Sequence, residues 1–179
     1  MHQFLVTTSR GLDALLQDEI NTICPGIDTK LAPGMVKVTG EIADAYKVCL
    51  HSRLANRVLW VLVHAPCANE LELYNAANQI DWPSHFGHEH DFMVQFNGTT
   101  KAINNTQFGA LRIKDGIVDR FVEDGLMRPN VSKLAPKLVL HARLHRDEVT
   151  ICVDMSGKSL HQRYYRQSTG EAPLKEHEI

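Results

Sequence analysis

A chain of 179 residues with 44% apolar side chains suits one large or two small domains with a proper core. A formal net charge of −2 excludes a histone-like basic chain, so any nucleic-acid binding must rest on a local patch. The four cysteines, Cys24, Cys49, Cys67 and Cys152, form no CxxC pair and sit among apolar residues, the pattern of reduced core thiols in a cytoplasmic protein.

In chain order, residues 4–7 read as a short strand, and Ser9 as the cap of a helix over 10–23 with Leu12, Leu15, Leu16, Glu19 and Ile20 at helical spacing. Pro25-Gly26 ends it; residues 27–31 are extended, Pro33-Gly34 turns, and 35–38 alternate as a strand. Gly40-Glu41 opens a second helix through Ala43, Tyr46, Val48, Cys49 and Leu50, and residues 57–64 form an apolar strand of the kind buried on both faces. The order β-α-β-β-α-β is ferredoxin-like and occupies about the first 65 residues.

A new unit begins at Ala65-Pro66. Residues 71–80 predict a helix with Leu71, Leu73, Tyr74 and Ala77 inward, broken by Asp81-Trp82-Pro83. Residues 91–96 alternate with Phe92, Val94 and Phe96 on one face; Asn97-Gly98 stops that strand and a short polar loop follows. Asn105 or Thr106 caps the next helix, which Gly125 closes. A polar loop feeding a helix N-terminus offers donors and a positive dipole end to an anion such as phosphate. Projection of this helix puts Ala110, Leu111, Ile117, Val118, Phe121 and Val122 on one stripe, with Lys114 inside it, either snorkelling along the core or reaching a phosphate. A loop over 126–136 leads to a hairpin, 137–145 and 148–155, around Arg146-Asp147, with Val139, Leu144, Val149, Ile151 and Val153 as core candidates.

Chemistry-bearing motifs are scarce. The N-terminus lacks a signal-peptide layout, and the longest apolar run, 58–63, is too short to span a membrane. His85, His88 and His90 lie close together but lack a fourth ligand, so they read as an exposed loop, with no metal site. No GxSxG, GxGxxG or GxxxxGK[ST] pattern exists, and no catalytic residues are assigned. Basic residues are unevenly spread: Lys133, Lys137, Arg143, Arg146, Lys158, Arg163 and Arg166 face only Asp147, Glu148 and Asp154, with Tyr164 and Tyr165 between the last two arginines. Arginine beside tyrosine suits a surface that pairs phosphates and stacks bases, although an ordinary solvated hairpin face has the same composition.

Taken together, TSRGLDALLQDEI, SRLANRV at 52–58, MVQFNG, INNTQFGALRIKDGIVDRF, RPNV at 128–131 and VDMSGKSLHQRYYR at 153–166 resemble the THUMP region of bacterial large-subunit rRNA guanine-N2 methyltransferases. The closing EAPLKE, 171–176, resembles the junction at which that family's methyltransferase domain begins, and Tyr164 stands where the family tends to have glycine. The resemblance implies an α+β chain: a ferredoxin-like unit over 1–65, a THUMP α/β domain over 66–157 (or from near 43 by the family's own boundary), and a linker over 158–179. It further implies a module that binds 23S rRNA and presents it to a covalently continuous, S-adenosylmethionine-dependent domain that methylates guanine N2. That catalytic domain lies outside this chain, which by itself is no enzyme, binds no cofactor and has no membrane partner. The expected RNA contacts are Lys101, Asn104, Asn105, Arg112 and Lys114, extended by Arg128, Arg163 and Arg166. A ferredoxin-like small-molecule regulatory module that binds no RNA is the alternative.

Overall fold

A computed structural model describes residues 1–132, 134–157 and 159–160. The chain divides into two compact units, Met1–Trp60 joined by the described residues from Asp154 onward, and Val61–Val153.

The first unit runs β1 (His2–Thr7), α1 (Asp13–Ile23), β2 (Asp28–Ala32), β3 (Met35–Gly40), α2 (Ile42–His51) and the start of β4 (Arg57–Pro66). Its strands lie in the order β2-β3-β1-β4, each neighbouring pair antiparallel. That is the ferredoxin-like arrangement expected from the element order. Phe4 and Val6 of β1, Leu16 and Ile20 of α1, and Ala45 and Val48 of α2 share one buried core. The SRLANRV segment is held by Glu19, whose carboxylate accepts hydrogen bonds from Ser52 Oγ at 2.5 Å, Arg53 N at 2.8 Å and Leu54 N at 3.3 Å. The chain returns to this unit after its last strand: Met155 N donates to the Val58 carbonyl and Leu160 N to that of Asn56.

Two expectations need correction. The first helix begins at Asp13, because Gly11 has φ +91° and turns the chain, its N–H donating to Asp13 Oδ1 at 3.0 Å. β4 is buried at Val58 and Leu59, but Trp60 to Val63 are only half covered and His64 is exposed, so it is not a strand buried on both faces.

The second unit holds the rest of β4, then α3 (Glu70–Asn78), a 3-10 turn (Trp82–Ser84), β5 (Phe92–Asn97), α4 (Thr106–Glu123), β6 (Leu138–His145) and β7 (Glu148–Asp154). Its strand order is β4-β7-β6-β5, with β5 parallel to β6 and β6 antiparallel to β7. Trp82 is fully buried, its indole N–H donating to the Ala77 carbonyl at 2.7 Å, so the segment that breaks α3 also anchors it. The hairpin core consists of Leu140, Ala142, Leu144, Val149 and Ile151. Val139 takes the other face by strand alternation. In α3 the buried residues are Leu73, Ala76 and Ala77, while Leu71 is 64% exposed. Among the described residues no helix is long and apolar enough to cross a membrane.

The α4 stripe is displaced from its expected position. The buried residues are Gly109, Ile113, Gly116, Ile117, Val118 and Phe121, and Leu111 and Val122 are exposed. A Cβ on Gly109 would stand 2.6 Å from the Phe96 ring, so this turn lies almost on β5. Lys114, one turn from both Ala110 and Val118, is half-buried, with its side chain 32% exposed.

Candidate functional site

β5 and β6 are parallel, so both finish at the same edge of the second unit's sheet, with Asn97 in register with Arg143. Gly98, at φ +94°, carries the chain over that edge so closely that an added Cβ would collide with the Leu144 carbonyl. The loop after it is short and pinned. Ile103 is fully buried and its carbonyl accepts from Thr100 N at 2.9 Å, while Ile103 N donates to Thr100 Oγ1 at 3.2 Å. One buried apolar side chain thus fixes a polar loop and leaves Lys101 and Asn104 exposed.

Asn105 is the cap of α4. Its Oδ1 accepts from Gln107 N at 2.8 Å and Phe108 N at 3.3 Å. These bonds satisfy donors that the sequence offered to an anion, so the first turn of α4 is not an open cradle. Gly98 is equally closed, and among the described residues this strand-to-helix passage supplies no glycine-lined cleft of the sort that holds S-adenosylmethionine or a dinucleotide.

The remaining expected contacts divide. Arg112 lies two turns into α4, its guanidinium over the Phe108 ring at 5.3 Å and beside Glu70 Oε2 at 3.5 Å and Asp115 Oδ2 at 4.0 Å. With Glu70, Leu71 and Tyr74 it lines a cleft of about 250 Å³ between α3 and α4. Lys114 Nζ lies 2.6 Å from Asp115 Oδ1, so its charge is locally balanced. Arg128 follows the C-terminus of α4, about 27 Å from the Lys101 loop at 1.5 Å per residue over 18 residues. It is exposed, and just beyond it Asn130 O and Ser132 N hydrogen-bond Phe92 at the start of β5, the opposite edge of the sheet. Arg163 and Arg166 lie outside the described residues.

The β6–β7 turn was not among the expected contacts, yet it shares the Lys101 edge. Arg146 and Asp147 both have left-handed backbone, φ 50° and 57°, which makes a tight two-residue turn and leaves Arg146 exposed. Arg143 and His145, just before it, are exposed as well. The uneven basic composition of this hairpin was visible in the sequence; its adjacency to the Lys101 loop was not, since that depends on a parallel pairing across some forty residues. The HFGHEH stretch stays apart, with His85 stacked edge-on to Trp82 at 6.3 Å and burial lowering its pKa. His88 and His90 flank the Glu89 carboxylate at 3.8 and 3.5 Å.

Residues 67–154 match the family model of the THUMP domain, and residues 3–59 that of the RlmL ferredoxin-like domain. The chain thus carries an RlmL ferredoxin-like domain followed by a THUMP domain. The Lys101 loop, α4 and the Arg146 turn therefore all lie within its THUMP domain. The chain is 55% identical over 99% of its length to a Ribosomal RNA large subunit methyltransferase K/L of Alteromonas mediterranea. It is 49% identical, again over 99% of its length, to the enzyme of that name from Pseudoalteromonas atlantica. It spans about a quarter of the length of these relatives, 25% in each case. A crystal structure of a predicted N6-adenine-specific DNA methylase from Listeria monocytogenes superposes with a TM-score of 0.85 and 26% identity, covering 99% of this chain and 46% of that one.

Proposed function

We propose that this chain is an RNA-binding module of a large-subunit rRNA methyltransferase, and that its THUMP domain meets RNA at the sheet edge carrying Lys101, Asn104 and Arg146. The observation that carries this reading is the parallel β5–β6 pairing, which brings a pinned polar loop to the same sheet edge as the hairpin turn that carries Arg146. Two exposed cations on rigid supports, with the exposed Asn104 amide in the same loop as Lys101, suit phosphate contacts that position RNA without reading its sequence. Asn105 serves the edge as its cap, Arg112 borders it, and Lys114, held by Asp115, contributes little net charge. Arg128 forms a separate contact at the far end of α4, and Arg163 and Arg166, the other expected contacts, lie outside the described residues. The finer reading is that the RNA is 23S rRNA and that the whole cytoplasmic enzyme methylates guanine N2. A Rossmann-type domain continuous with this chain would supply S-adenosylmethionine as the methyl donor.

Phosphate contacts release counterions, so affinity for an rRNA fragment should fall steeply with salt. Lys101→Ala and Arg146→Ala should each weaken binding across sequences and lower the salt slope by about one ion. Affinity that stays flat from low to moderate salt would show the surface to be wrongly assigned.

A further inference from the structure

Both helices of the second unit pack on one face of its sheet, where Leu140, Ala142 and Leu144 are buried with Ile113, Ile117 and Phe121. Strand alternation sends His141, Arg143 and His145 to the opposite face. The register gathers partners around them: Gln95 and Asn97 of β5 stand beside His141 and Arg143, and Thr150 and Glu148 of β7 beside Arg143 and His145. His64 of β4 completes the row, its Nδ1 2.8 Å from Thr150 Oγ1 and its Nε2 3.6 Å from a Glu148 carboxylate oxygen. His141 is half-buried; His64, Gln95, Asn97, Arg143 and His145 are exposed.

A strand face that only needs solvation is satisfied by any mixture of charges. This one carries three imidazoles, a guanidinium and two amides, and the acid among its outward strand positions, Glu148, already sits against His64. Planar rings stack bases, arginine stacks and pairs phosphate, and amides reach base edges. Duplex RNA would bury its base edges and use only the phosphate contacts. We propose that this sheet face is a platform for a single-stranded RNA segment running on from the Lys101–Arg146 edge. The proposal rests on the RNA-binding reading above and adds a strand-selective surface to it. Charge complementarity favours RNA over a protein partner at the end of the face nearest the Lys101–Arg146 edge, where Arg143 and the rings of His64 and His145 are exposed, while Val139 and Cys152 lie toward its other end.

The test is fluorescence anisotropy of the 179-residue chain with a labelled single strand of about 12 nucleotides and with a duplex of the same sequence. Two double variants are compared, Arg143→Ala with His145→Ala on the face, and Lys101→Ala with Arg146→Ala at the edge. All four positions are exposed, and thermal melting monitored by circular dichroism verifies folding. The face variant should weaken single-strand binding by about five-fold or more and leave duplex binding within about two-fold. The edge variant should weaken both. Single-strand affinity unchanged in the face variant, with both affinities lowered in the edge variant, overturns the platform and leaves the RNA-binding reading standing. No binding of either RNA by the unaltered chain overturns both. A face variant that keeps its RNA affinity but changes its sedimentation assigns the face to self-association and overturns the platform.

Discussion

Gly116 of α4 lies against the backbone of Tyr74 in α3: a Cβ built on it would stand 2.7 Å from the Tyr74 carbonyl oxygen and 3.1 Å from Asn78 N. The helices are fastened around this contact by Tyr74 Oη donating to Asp119 at 3.0 Å and Asn78 Nδ2 to Glu123 at 3.2 Å. Alanine in place of a helical glycine gains about 1 kcal/mol of propensity. Forcing two backbones apart costs about 1–3 kcal/mol, and the neighbours here are backbone atoms that cannot rotate away. Gly116→Ala should therefore lower the urea midpoint with the slope unchanged, a net loss of order 1 kcal/mol.

Asn105 should behave as a cap before it behaves as an RNA contact. Asn105→Ala removes the acceptor for Gln107 N and Phe108 N and should cost about 1 kcal/mol in denaturant unfolding. Asn105→Ser, which can cap equally well, should restore most of that stability. If RNA affinity follows stability through the pair, the side chain acts by setting the loop; if serine restores stability but not affinity, the amide itself touches RNA.

The hairpin turn offers a gain. Arg146 and Asp147 are non-glycine residues in the left-handed region, a conformation costing about 1–2 kcal/mol for an ordinary side chain and less for Asp. Asp147→Gly should raise the melting temperature through a stabilisation of about 0.5 kcal/mol, the glycine's lost chain entropy offsetting part of the relief. RNA affinity should hold or rise modestly, since Arg146 is retained and a negative charge beside it is removed.

These cases show what the sequence disclosed and what it hid. Asn105, Gly125 and the Arg146-Asp147 turn were legible because caps and tight turns depend on one or two local residues. The N-terminus of α1 was misplaced because Ser9 looked like a cap while Gly11 quietly turned the chain. The α4 stripe was displaced because Gly109 and Gly116, which make its closest contacts, carry no apolar side chain for a projection to count. The candidate edge was half legible: the polar loop and the basic hairpin each stood out, but only the β5–β6 register joins them. Arg112 and Lys114 looked free in sequence because Glu70, on another helix, and Asp115 had not been paired with them.

Two thiols set an alkaline limit. Burial, helped by the charges of Glu72 and Asp147, pushes the Cys67 thiol up to about 11, and burial pushes Cys152 up to about 12. A thiol whose folded pKa lies above its ordinary value of 9.0 adds stability that is complete below that value and lost as pH rises toward the folded one. Unfolding free energy should thus decline between about pH 9 and 12 with a linkage of up to one proton per thiol. Native protein at pH 8 should resist alkylation at both positions and react only when denatured, as peptide mapping would register.

Lys114 separates the two roles that the sequence left open for it. Its Nζ lies 2.6 Å from Asp115 Oδ1 and its side chain is 32% exposed. A partly exposed neighbour pair is worth less than about 1 kcal/mol, and methionine keeps the unbranched stem and a high helix propensity. Lys114→Met should then change stability by about 0.5 kcal/mol or less, while freeing Asp115 to draw Arg112 closer. Because Asp115 already balances the charge, the salt slope of RNA binding should not move, in contrast to the drop of about one ion expected for Lys101→Ala. A full one-ion drop in Lys114→Met would mean that the lysine leaves Asp115 for a phosphate when RNA binds, and would extend the contact surface two turns along α4.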